Sequence, residues 1–212
     1  EGIQYFYNLQ NLYCADIGLT SLDVSALSKL TQLTCMDNAL GTLDLSKNTA
    51  LTQINCAADQ LTELKLPYGV QRLLCENNAL DLSGCTALTY LKCANNQLAT
   101  LNLGANTALS TLIVSNNHLP SLDLRANTAL AAVNLGQQTI TVNATQQDNV
   151  VYAPVDGLAA DGVVYQDTEK YENGNFVTAD YALMQNGFTY EYATGSDLAG
   201  AMTVDVTVVK DF

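Results

Sequence analysis

Six cysteines are the most reactive side chains in this 212-residue chain, and five of them, Cys14, Cys35, Cys56, Cys75 and Cys93, recur at intervals of 21, 21, 19 and 18 residues. Thiols bind zinc, form disulfides or act as nucleophiles. Zinc sites place paired ligands about two to four residues apart, whereas the nearest pair here, Cys85 and Cys93, is eight apart. The single histidine, His118, has no serine or acid placed to act with it, so it reads as a surface residue; there is no Trp. No catalytic constellation emerges, and neither a metal nor a cofactor is expected. Two sets of acids could attract cations. Asp156-Gly157 and Asp161-Gly162, with Asp167 and Glu169 beyond, carry calcium-type ligands, but turn chemistry accounts for them without a metal. Asp23, Asp44, Asp81 and Asp123 recur more regularly and read as a solvated face.

Eight Lys+Arg against 21 Asp+Glu give a net charge of -13, which opposes an electrostatic grip on nucleic acid or anionic lipid. Only 14% of residues are charged while 48% are hydrophobic, yet no apolar run approaches the roughly 18 residues of a membrane span. The chain also divides internally. Of 33 leucines, 30 lie in residues 1–140, while nine of the 15 aromatics lie beyond. Two domains follow, 1–140 and 141–212, with net charges of -4 and -9.

The first domain repeats itself. Units begin at Leu9, Leu30, Leu51, Val70, Leu88, Leu109 and Leu130, and Leu88–Ala108 (LTYLKCANNQLATLNLGANTA) is matched nearly position for position by Leu109–Ala129 (LSTLIVSNNHLPSLDLRANTA). The unit from Leu51 is shorter by two residues around Pro67-Tyr68-Gly69, and that from Val70 by three between Leu80 and Leu82. Both deletions fall in the returning half, where a loop shortens without disturbing a strand stack.

The pattern L-x-x-L-x-C-x-x-N-x-L resembles the leucine-rich repeats, which lay down one strand per turn of a right-handed coil. The short unit with its Ala-Leu joint is similar to the bacterial cell-surface type that includes the internalins. Departures are a 21-residue unit in place of 22, Cys in place of Leu, and no amino-terminal helical cap. The resemblance implies a solenoid of strand and coil with little helix, in a secreted or cell-surface protein. Gly2–Asn8 read like the closing half of an earlier unit, so a signal or lipid-attachment segment is expected upstream.

Leucine at positions one, four, eleven, fourteen and sixteen, and Cys at six, point inward. A lone unit buries too little apolar surface to offset the entropy of ordering itself, so stability must come from stacking. Stacked strands hold equivalent residues about 4.8 Å apart with parallel side-chain vectors, whereas a disulfide needs Cβ atoms about 3.5 to 4.5 Å apart. The ladder cysteines are therefore expected to be free, buried thiols. Cys85 lies outside that ladder, where other units carry Asn48, Asn106 and Asn127, and is expected to be half-exposed. Asn38, Asn78, Asn96 and Asn117, with Asp59 and Gln138 in register, fall where backbone groups turn inward, and an amide can satisfy both donors and acceptors there.

Beyond Thr139 the period changes to two, in TITVNA, NVVYAPV, GVVYQD, NFVTADY, FTYEYATG and MTVDVTVV. These read as antiparallel strands of a small all-β sandwich of immunoglobulin-like type, a domain that the internalin resemblance also implies. Val204, Val206 and Val208 share one face of the last strand. The domain is expected to dock on the last coil and cap its strand edge.

A curved strand ladder suits a macromolecule better than a small substrate. The expected function is non-catalytic binding of a protein through outward positions three, five and seven, with Tyr13, Met36, Arg72, Leu74, Glu76, Tyr90, Lys92 and Ile113 as the candidate contacts. Leu74, Tyr90, Lys92 and Ile113 form one apolar and mixed patch. Glycan binding and a purely structural spacer role are the alternatives.

Overall fold

A computed structural model describes residues 2–76, 82, 84–147, 150–155, 158, 163–164, 170–172, 175–178, 187–199 and 201–210. The repeats form nine three-residue strands: β1 (Asn11–Tyr13), β2 (Gln32–Thr34), β3 (Thr42–Asp44), β4 (Gln53–Asn55), β5 (Glu63–Lys65), β6 (Arg72–Leu74), β7 (Tyr90–Lys92), β8 (Thr111–Ile113) and β9 (Ala132–Asn134). One strand from each unit joins a seven-stranded sheet in the order β1-β2-β4-β6-β7-β8-β9. Every neighbouring pair is parallel, and equivalent repeat positions face each other throughout. The two short units keep this register, so their deletions leave the seven-stranded sheet intact; residues 77–81, around the second deletion, lie outside the described residues. On the return side, β3 and β5 pair in the same way. Apart from a single 3-10 turn, Ile3–Tyr5, no helix occurs among the described residues.

The strands stop because the backbone turns. Asp16, Asp37, Ala58, Asn95 and Asn116, two residues after the ladder position in their units, all adopt left-handed conformations with φ between 54° and 59°. Asp and Asn tolerate this region better than other non-glycine residues. Within the strands burial alternates: Leu33, Cys35, Ile54, Cys56, Leu73, Cys75, Leu91 and Cys93 are all at most 1% exposed.

The inward-turned backbone is satisfied by the amide column. Asn38 Oδ1 accepts the Ile17 and Leu19 N–H groups at 3.2 and 2.9 Å, while its Nδ2 donates to the carbonyls of Cys14 and Cys35. Asn117 accepts from Leu98 and donates to Cys93 and Val114. Gln138 repeats the pattern one coil later, toward Leu119, Val114 and Leu135. Asn78 lies outside the described residues.

The second region contains β10 (Gln137–Gln147), β11 (Val150–Pro154), β12 (Val163–Val164), β13 (Lys170–Glu172), β14 (Asn175–Thr178), β15 (Phe188–Ala193) and β16 (Ala201–Lys210), in the order β12-β15-β16-β10-β11-β14-β13. Each expected stretch holds a described strand, though GVVYQD only at Val163–Val164 and NFVTADY only at Asn175–Thr178, their remainders lying outside the described residues; β13 is additional. The expectation of purely antiparallel pairing needs correction, because β10 and β16 run parallel over eight residue pairs. A period-two pattern specifies which face is buried but not which strand lies alongside. Val204 and Val206 are buried at 0% and 4%, and Val208 is partly buried on the same face. Phe176 on β14 meets Phe188 and Tyr190 on β15, with ring centroids 4.9 and 4.8 Å apart, although these strands are not sheet neighbours.

One continuous hydrophobic core runs from Val24 through the coils to Val206. The β10 strand starts on the coil, where Asn116 N donates to Gln137 O and Thr139 N to Asn117 O, both at 2.9 Å. The last coil is covered differently from expectation. Contacts reach the return half of the preceding unit, Leu109–Ala129, where Leu124 N donates to Thr194 O at 2.8 Å and the Tyr190 hydroxyl to Pro120 O at 2.7 Å. Among the described residues no strand pairs with the outer edge of β9, where Ala131 and Ala132 are exposed and Val133 is half-buried. Gly136, at φ +50°, turns the chain toward β10 one residue earlier than the other units turn.

Candidate functional site

The parallel register brings six of the eight expected contact residues together. Arg72 lies opposite Tyr90 on adjacent strands, and Leu74 opposite Lys92. Ile113 continues the row beyond Lys92. The Arg72 guanidinium sits over the Tyr90 ring, 3.8 Å from its centroid, a cation–π contact that fixes both side chains. Lys92 Nζ reaches Glu76 Oε1 at 3.0 Å. Arg72 is exposed, whereas Leu74, Glu76, Tyr90, Lys92 and Ile113 are half-buried by one another. The result is a firm surface of apolar and charged groups spanning three coils.

Tyr13 and Met36 do not join it. Tyr13 occupies the same row as Leu74 but three strands away, on edge strand β1. Met36 follows β2, with its Sδ 3.2 Å from Asn55 Nδ2. Around the patch the outward positions are uncharged, with Gln32, Gln53, Thr34, Asn55, Thr111 and Ser115. Sequence reasoning also passed over an aromatic run at the β1 end. Tyr5, Phe6 and Tyr7 are 75%, 62% and 66% exposed, and Tyr13 nearby in sequence is 74% exposed. Three consecutive aromatics just before the first unit were the available signal.

All six cysteines are free; five are buried and Cys14 is half-buried. Cys85 is 2% exposed, against the expectation, because its column faces the interior together with Asn48, Asn106 and Asn127. The ladder thiols act as weak donors to the following coil: Cys56 Sγ to Leu74 O at 3.7 Å and Cys75 Sγ to Lys92 O at 3.6 Å. Burial raises the thiol pKa of Cys14, Cys35, Cys56 and Cys75, and that of Cys93 to about 12. Such thiols are poor nucleophiles.

Asp59 differs from its column. It is fully buried, accepts Asn38 N–H at 2.9 Å and receives the Cys35 thiol at 3.4 Å. Desolvation raises its pKa, and those hydrogen bonds offset only part of the rise.

The recurrent return-side acids have a structural task that composition does not show. Asp23, Asp44 and Asp123 accept the N–H two residues on at 2.9, 3.0 and 2.9 Å, and Asn102 does the same at 3.0 Å. They close Asx turns. Hydrogen bonds from Ser25, Ser46 and Arg125 hold these three carboxyls below the usual range. Asp81 and the candidate calcium ligands Asp156, Asp161, Asp167 and Glu169 lie outside the described residues. His118 is exposed, with Nδ1 2.5 Å from Thr139 O. It borders an open groove of about 450 Å³ with Pro120, Ile140, Val142 and Val155.

This architecture is a β-solenoid with almost no helix, the fold of the internalin leucine-rich repeats. The functional domain of InlJ from Listeria monocytogenes, described as including a cysteine ladder, superposes on the whole chain with a TM-score of 0.75 at 24% identity. This chain spans half the length of that structure. Internalin C2 from the same species aligns over 66% of this chain and 65% of its own length, with a TM-score of 0.56 and 26% identity. The secreted internalin-like protein Lmo2445, also from Listeria monocytogenes, covers 97% of this chain and 87% of its own at a TM-score of 0.58 and 19% identity. No protein-family model matches the chain, and no curated protein does. Among the described residues no helix is long and apolar enough to cross a membrane.

Proposed function

We propose that this chain is a non-catalytic binding module of a secreted or cell-surface protein, recognising a protein partner through the strand face of its repeats. The observation that carries this reading is the cluster of Arg72, Leu74, Glu76, Tyr90, Lys92 and Ile113. Cation–π and ionic contacts hold it in place on the regular sheet. Preorganised aromatic, Arg and aliphatic groups in one patch are the composition of interface hot spots. The similarity to InlJ and to a secreted internalin-like protein supports an extracellular setting. Residues 141–212, which take in β10 from residue 141 onward and β11 to β16, are read as an immunoglobulin-like sandwich. The Phe176, Phe188 and Tyr190 rings would then lie between its sheets.

The test is a binding screen of the intact chain against extracellular proteins and a glycan array. Leu74→Glu and Tyr90→Ala are expected to weaken protein binding at least tenfold while the coil stays folded. Retained affinity in both would move the site off this face; binding confined to the glycan array would replace the protein reading, and no binding at all would favour a spacer.

A further inference from the structure

We infer that Arg72 is a specificity-determining residue that reads a carboxylate on the partner, set two residues from an apolar side chain in an extended segment. This deepens the strand-face reading and rests on it. The chain has a net charge of -13, and the other cation of this patch, Lys92, is already paired with Glu76 at 3.0 Å. Among the described residues, no carboxylate forms an ion pair with Arg72.

Its guanidinium is nevertheless held in place, because Tyr90 underlies one face. That stacking leaves the N–H edges available for the bidentate geometry in which Arg binds carboxylates. Stacking also spends the rotamer entropy of a long side chain before a partner arrives. Leu74 shares the strand and the face, two residues along, which is about 7 Å in an extended chain. Ile113 lies two strands from Leu74 in the same row, with the Lys92 stem between them. An extended partner segment of the form acid-x-apolar therefore matches Arg72 and the Leu74 shelf residue for residue. An acidic sugar would satisfy Arg72 but leave the Leu74 and Ile113 surface unused, so a polypeptide is the better fit.

The experiment is display of a random linear 12-residue peptide library on the intact chain, followed by affinity measurement on the enriched peptides. Enrichment of Asp or Glu two residues from Leu, Ile, Val or Phe is expected. Arg72→Gln, and the matching Glu→Gln change in the peptide, should each weaken binding about tenfold, with no further loss when combined. Arg72 is exposed, so its variant should melt as the parent does. Additive losses, or enrichment without an acid, overturn the carboxylate assignment. If Leu74→Glu abolishes peptide binding while Arg72→Gln leaves it intact, the strand-face site stands and this inference fails. If neither variant matters, both fail. Failure to enrich any peptide, or Arg72-dependent binding to acidic glycans in place of peptides, also overturns it.

Discussion

The Tyr190 hydroxyl donates to the Pro120 carbonyl at 2.7 Å, joining groups 70 residues apart in sequence and buried at the contact between the last complete coil and β15. Together with the Leu124 N–H to Thr194 carbonyl bond, it makes the repeats and the following strands share one core. The two regions are therefore expected to unfold in a single transition. Tyr190→Phe keeps the ring but leaves the Pro120 carbonyl without this donor, a loss of about 1 to 3 kcal/mol. Denaturant unfolding of the variant, with exchange of the Leu124 amide followed in parallel, would check it. Unchanged stability would show that the hydroxyl is dispensable at this junction.

Asp59→Asn should stabilise the chain at neutral pH. An amide there can donate to the Cys35 and Cys56 carbonyls as Asn38 does to Cys14 and Cys35, and it removes a buried carboxyl. The gain expected is about 1 to 2 kcal/mol. The pH dependence has a definite sign. Because the folded-state pKa of Asp59 is raised, the native state holds the proton more tightly than the unfolded chain. Its contribution is therefore greatest below the ordinary carboxylate range and falls as pH rises to the raised native value. The stability difference between variant and parent should widen across that window; a constant difference would contradict it.

Native thiol labelling should proceed in a fixed order. At pH 8, Cys14 should react first, because it is the half-buried member of the set. Cys35, Cys56, Cys75 and Cys93 should react only through unfolding, being buried and protonated at that pH. All six should label in denaturant. Mass spectrometry showing a native disulfide between Cys35 and Cys56, or rapid labelling of Cys75, would refute the packing.

Gly136→Ala should be costly. The position has φ +50°, and an added Cβ would lie 2.2 Å from Ser115 Cβ. Strain in the left-handed region alone is about 1 to 3 kcal/mol, and the overlap adds to it by pushing β10 off the preceding coil. Gly41→Ala, at φ +67° with open space around it, is the control and should lose less. Equal melting temperatures for the two variants would argue against the close approach.

The strand stack, its register and the inward cysteines were determined by the sequence alone. A 21-residue period forces each unit to repeat its neighbour's backbone, and stacking then superposes equivalent positions. Leu73 over Leu91 and Arg72 beside Tyr90 follow from alignment of the units. The tertiary structure decided what alignment cannot carry. Arg72 stacks on Tyr90 while Lys92 turns to Glu76 because side-chain rotamers settle against all their neighbours at once. Cys85 is buried because its column faces the interior, a direction set by the closing of the return half. The parallel pairing of β10 with β16 joins segments more than 60 residues apart. Alternation of Val and Thr marks the buried face of each strand, but partner choice depends on how the whole sheet closes over Phe176 and Tyr190.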